Sequence, residues 1–218
     1  MTTLVTGAFG CIGAWVIRGL LAAGERPVVF DLGDDSWRVR MIAGPDAPER
    51  LTLVRGDVTD KAQIERVVRD HEVTVYGPGR DFGLTADPTL AMKAAVLGRP
   101  FQIRWGGSTD LVYTEDVARA FLTAAAARLD GARVYNLHGA SASVADVVRV
   151  IESAWPPAKG LITHVAEPLP FPAALDDARY QKDLGPAPST SLIAGVQKTL
   201  DEFRHLQQSG RLDARELT

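Results

Sequence analysis

Residues 3–13 read Thr3-Leu4-Val5-Thr6-Gly7-Ala8-Phe9-Gly10-Cys11-Ile12-Gly13, three glycines between two apolar patterns of different period. Leu4 and Val5 form a short apolar run that reads as a buried strand. The run breaks at Gly7, and Ile12, Trp15, Val16, Leu20 and Leu21 then recur at helical spacing. Glycines 7, 10 and 13 stand in the strand-to-helix turn. Gly7 lets the chain leave the strand sharply. Gly10 has no side chain to keep a pyrophosphate from the backbone, and Gly13 lets helix and strand pack closely. The unpaired amides and positive dipole end of the helix then face the phosphates of a dinucleotide. The pattern has the context it needs, with a strand before it and a helix after it.

The next strand agrees. Pro27-Val28-Val29-Phe30-Asp31 ends in an acid 24 positions after Gly7, near the spacing of a carboxylate that accepts ribose hydroxyls. A carboxylate there repels a 2′-phosphate, so NAD is expected over NADP. Arg38 and Arg40 lie downstream and leave NADP open.

Composition sets the wider bounds. The chain has 218 residues, 46% hydrophobic and 23% charged, enough for a substantial core. A net charge of −3 gives no basic surface for nucleic acid. The single cysteine, Cys11, rules out an internal disulfide framework and suits a reducing cytoplasm. No apolar run reaches membrane-spanning length. The sequence opens directly on a strand, so no signal peptide is expected. His138, His164 and His205 share no ligand spacing, so no metal site is expected.

Taken in order, the residues predict a helix over 12–24, a helical piece around Trp37 to Ile42, and a strand at Leu51 to Val54. Thr59 or Asp60 would cap a helix over 61–71, and Val73 to Tyr76 would form a fourth strand. The loop Gly77-Pro78-Gly79-Arg80-Asp81 follows. Beyond it come a helix opened by Asp87-Pro88, a strand at Phe101 to Ile103 and a helix from Thr114 to Leu129. A strand over Val134 to Leu137, a helix capped by Ser143 and a strand at Leu161 to Val165 come next. A last helix runs from Ser189 or Thr190 to about Gln208, with a frayed tail after it. This gives a dinucleotide-binding part over 1–82 and a C-terminal substrate lobe over 83–218, whose strands and helices return to the first part.

The chain resembles the extended short-chain dehydrogenase/reductase superfamily, NAD-dependent epimerase/dehydratase type. The resemblance rests on two blocks. The first is Thr6 to Gly13, Asp31 and Gly56-Asp57-Val58. The second is Val75-Tyr76-Gly77-Pro78-Gly79, Asp110-Leu111-Val112-Tyr113-Thr114-Glu115-Asp116-Val117-Ala118, Tyr135-Asn136-Leu137 and Leu184-Gly185 with Pro188 to Leu192. It implies an α/β fold: a Rossmann-like doubly wound parallel sheet with a small C-terminal α/β lobe. It also implies NAD as cofactor and a sugar or related hydroxyl/carbonyl compound as substrate. Cofactor contacts carry over to Gly7, Phe9, Gly10, Cys11, Ile12, Gly13, Asp31, Asp57, Val58, Tyr76 and Pro78.

The sequence departs from the family at the junction of the blocks. No tyrosine has a lysine four residues on: Tyr76, Tyr113, Tyr135 and Tyr180 are followed there by Arg80, Val117, Gly139 and Leu184. The segment that carries the Tyr-x-x-x-Lys pair in the family is missing, which shortens the sheet. Hydride transfer at a carbinol needs a proton acceptor, and the family's tyrosine is that group. Tyr76 beside Arg80 is the one substitute, and its plainer role is a wall beside the nicotinamide. Thr109 stands where nucleotide-sugar enzymes of the family often have an arginine, so the diphosphate clamp is lost. Arg99 and Arg104 read as solvated, and Asp116 as a helix cap. A dinucleotide-binding protein without catalysis is the alternative. A four-stranded remnant leaves an open edge, so self-association is expected.

Overall fold

In the computed structural model, residues 4–55, 74–127, 129, 135–170 and 172–217 are described. The first part alternates strand and helix: β1 (Leu4–Thr6), α1 (Cys11–Ala22), β2 (Val28–Asp31), α2 (Trp37–Ala43) and β3 (Thr52–Arg55). β2 lies between β1 and β3 with both ladders parallel, and Leu4, Val28 and Thr52 are in register. A crossover such as α1 returns the chain to the same end of a parallel sheet. Ala14, Ile17 and Leu21 of α1 recur at helical spacing and meet Val5, Val29 and Val39 in one core. The turn at 56–60, the helix at 61–71 and Val73 lie outside the described residues.

The second part holds β4 (Thr74–Tyr76), α3 (Asp87–Val96), β5 (Phe101–Ile103), β6 (Ser108–Tyr113), α4 (Thr114–Ala126), β7 (Ala140–Ser143), α5 (Val144–Ala154), β8 (Ile162–His164), α6 (Ala178–Leu184) and α7 (Leu192–Gln208). β4 pairs in parallel with β6, β6 antiparallel with β7, and β5 in parallel with β8. Every residue of α3 is buried. This helix is the centre of a second core with Tyr76, Ile103, Trp105, Tyr113, Ile151 and Phe203. Pro88 sits in its first turn, where a missing amide proton costs nothing. α4 lies against α1 and joins the parts; a Cβ on Gly19 would meet Leu122.

The α/β, Rossmann-like architecture is the expected one, but its sheet comes in pieces. Among the described residues, β1 has a ladder partner only in β2, and β4 only in β6. The strand expected at 134–137 is not one over its described residues, 135–137; β7 begins at Ala140 instead. The chain first passes tightly over β6 at Gly139, where a Cβ would lie 2.6 Å from the Leu111 carbonyl carbon. Thr59–Asp60 apart, the caps are partly as read. Ser143 and Asp146 form a capping box at α5, and α7, expected to begin at Ser189 or Thr190, begins at Leu192 with Ser191 as its cap. The tail is not frayed: Leu212 and Leu217 pack on the second core, and residues 215–217 form a 3-10 turn.

Candidate functional site at the glycine turn

β1 delivers the chain to Gly7, whose φ of +63° lies in the left-handed region. The Gly10 amide donates to the Gly7 carbonyl at 3.0 Å and tightens the turn. A Cβ on Gly13 would meet the Gly7 oxygen and lie 2.6 Å from Ala8 Cα, so glycine alone fits. Gly10 is the N-cap of α1 and offers no side-chain cap. The first-turn amides of α1 are therefore available to an anion. Beside them runs an open groove of about 610 Å³ between β1 and α4. Gly7, Cys11, Ile12 and Gly13 line one wall, and Phe121 and Leu122 the other. Its volume is in the range of small-molecule and cofactor sites.

Asp31 closes the turn from the end of β2. Its carboxylate accepts from the Phe9 amide at 3.0 Å and from the Gly33 amide at 3.5 Å. Arg38 is held rather than free. It pairs with Asp81 at 2.5 Å, donates to the Phe9 carbonyl at 3.2 Å and stacks on Trp37. Arg40 is exposed. The Trp15 indole donates to the Pro78 carbonyl at 2.9 Å, which fixes the 77–81 loop on α1. Burial pushes the Cys11 thiol up to about 12, so it is an inert filler rather than a nucleophile.

The other sequence candidates lie apart from the turn. Tyr76 is in the second core, its ring 5.5 Å from that of Tyr113. Its hydroxyl is buried against Gly195 of α7, without a partner among the described residues. Burial raises its pKa above the ordinary value, with Tyr113 and Asp116 adding to the shift. A general base requires the opposite shift. Arg80, expected beside it, donates to Thr85. Asp57 and Val58 lie outside the described residues.

The acids and arginines of the β5–β6 region have structural partners. Asp110 is 1% exposed and accepts from His138 Nδ1, the Gly139 amide and the Leu175 amide, each at 2.7 Å. Thr109 shares a hydrogen bond with Thr74 at 3.1 Å. Arg104 is not simply solvated, because Asp87 accepts from its amide and guanidinium at 2.7 Å. Asp116 does not cap α4 through its side chain; it sits in the first turn with Arg119 at 3.6 Å. Sequence reasoning missed the Arg38–Asp81 link because its members are 43 residues apart. It also missed Phe121, whose only signal was an aromatic in an alanine-rich helix.

Residues 4–76 match the family model described as GDP-mannose 4,6 dehydratase. UDP-glucose 4-epimerase 4 of Oryza sativa subsp. japonica is 45% identical over 71 residues, which are 30% of this chain and 19% of that protein. The match thus spans about a fifth of that relative's length. Among solved structures, UDP-glucuronic acid 4-epimerase from Bacillus cereus, in complex with UDP-glucuronic acid and NAD, aligns with a TM-score of 0.69 at 15% identity. The alignment covers 94% of this chain and 100% of that one. dTDP-glucose 4,6-dehydratase from Bacillus anthracis str. Ames, in complex with NAD, aligns with a TM-score of 0.64 at 14% identity, covering 95% and 98%. Sequence likeness over residues 4–76 is thus to the GDP-mannose 4,6 dehydratase model and to that epimerase, and along the rest of the chain the likeness to the NAD-bound epimerase and dehydratase structures is one of fold.

Proposed function

We propose that the chain binds NAD, with the pyrophosphate on the amides at the start of α1 and a ribose on Asp31. We further propose that the compound brought to it is a sugar or a related hydroxyl/carbonyl compound. The observation that carries this is the glycine turn: an uncapped α1 opening on a groove, with Asp31 tied to the Phe9 amide. The Arg38 charge is already engaged by Asp81, and the Asp31 carboxylate repels a 2′-phosphate, which favours NAD over NADP. The sugar assignment is taken from the nucleotide-sugar ligands of the similar structures. Gly7, Phe9, Gly10, Cys11, Ile12, Gly13 and Asp31 are the proposed cofactor residues, with Asp57, Val58 and Pro78 carried over from the family. A cytoplasmic location and self-association through the side of the missing segment, by edge pairing or by exchange of the C-terminal lobe, complete the reading.

A second reading has its own support. The sequence has no Tyr-x-x-x-Lys, and Tyr76 is buried with a raised pKa. These favour a dinucleotide-binding protein that does not turn over. Calorimetric titration with NAD and NADP, followed by an NAD-reduction assay on a panel of sugars and alcohols, separates the two. Binding with turnover supports the enzyme, binding without turnover supports the second reading, and no binding removes both.

A further inference from the structure

Lys93 is 4% exposed, in the middle of the fully buried α3. A buried ammonium needs an anion beside it. Here the anion comes from the far end of the chain: Glu216 Oε2 lies 3.0 Å from Lys93 Nζ. The segment that carries Glu216 leaves α7 at Gly210, whose amide and that of Arg211 bond back to Gln207 and Leu206. Leu212 and Leu217, both half-buried, anchor it to the core. Next to Lys93, the segment covers a pocket with room for about one water (≈ 10 Å³), lined by Trp37, Arg80, Asp81, Thr89, Phe203 and Asp213 among others. Two polar atoms of this wall are buried without partners among the described residues, Arg80 Nε and Asp81 Oδ2. Asp81 is itself 7% exposed, and its other oxygen holds Arg38.

We propose that this pocket binds a hydroxylated anion, a sugar phosphate or a sugar acid, and that Glu216 occupies the anion position as an internal stand-in. Lys93 and Arg80 Nε would take the phosphate or carboxylate. Asp81 Oδ2, an acceptor with no donor among the described residues, would take a hydroxyl, and the Trp37 ring offers a face for a sugar. The tail must move aside to admit such a ligand. A tethered carboxylate competes at high effective concentration, so its removal uncovers the site.

The test uses the full chain without dinucleotide, so its failure is independent of NAD binding. Glucose 6-phosphate and glucuronate are titrated calorimetrically into wild type, Glu216→Gln and Glu216→Gln/Lys93→Met. Glu216→Gln should bind at least one of the two probes at least tenfold more tightly than wild type, and the double variant should lose that gain. Whichever probe binds names the anion. If Lys93→Met fails to fold, Arg80→Gln on the Glu216→Gln background must lose the gain instead. Equal affinity in wild type and Glu216→Gln, or retention of the gain without Lys93 or Arg80, would overturn the proposal.

Discussion

Replacing Gly13 by alanine should unfold this protein more readily than any other single-methyl change in the turn. The added Cβ would meet the Gly7 oxygen and lie 2.6 Å from Ala8 Cα and 2.9 Å from Ala8 C. Each is main chain, so no side chain can rotate away. Overpacking a well-packed site costs about 1–3 kcal/mol, and a backbone obstacle puts Gly13→Ala at about 3 kcal/mol or more. For a chain of this size that lowers the melting temperature by about 6–12 °C, at 2–4 °C per kcal/mol. Gly10→Ala is the control. Its Cβ would sit 3.1 Å from the Gly7 oxygen, a gap that closes with a few tenths of an ångström of movement. The loss of a glycine N-cap adds a cost, so it should lose about 1 kcal/mol. Thermal and urea unfolding followed by circular dichroism measure both. A Gly13→Ala protein within about 1 kcal/mol of wild type would refute the close approach of α1 to the turn.

Three further perturbations probe the rest of the molecule. Asp31→Ala should weaken NAD relative to NADP in parallel titrations; an unchanged ratio removes Asp31 from the site. Tyr76→Phe deletes a buried hydroxyl that has no partner among the described residues, so stability should hold or rise by up to about 1 kcal/mol. It should also relieve part of the damage of Gly195→Ala, whose Cβ would lie 2.8 Å from the Tyr76 Cζ and press on the hydroxyl; additive effects in a double-variant unfolding series would contradict this. The hydrogen bond to Asp110 raises the His138 pKa above its ordinary 6.5, with the charges of Asp110 and Asp177 adding to it. Because the folded value is the higher one, the stabilisation is full below pH 6.5 and is lost as pH rises through the folded pKa. His138→Gln should flatten that part of the stability–pH curve, and a curve identical to wild type would assign the slope elsewhere.

The glycine turn was legible because its meaning is local: three glycines, a strand before and a helix after, all within a dozen residues. The place of Asp31 at the end of β2 was legible by spacing, whereas its hydrogen bond from the Phe9 amide, 22 residues earlier, was not. What escaped depends on contacts distant in sequence. β7, Ala-Ser-Ala-Ser, has little strand character of its own and forms because β6 offers it an edge. The polar tail looked frayed, yet Lys93, 123 residues earlier, holds Glu216. Arg104 looked solvated because its partner Asp87 lies at the start of a helix 17 residues before it. Tyr76 was read as a candidate base from its neighbour Arg80 in sequence. Burial under α7, which no local pattern encodes, gives it the opposite character.

Calorimetric titration of NAD into wild type and Gly10→Val measures dinucleotide binding at the glycine turn itself. The turn predicts one NAD bound per wild-type chain and no detectable heat of binding in the variant, with the variant still melting cooperatively. No binding by wild type, or equal affinity in a folded Gly10→Val protein, would contradict it.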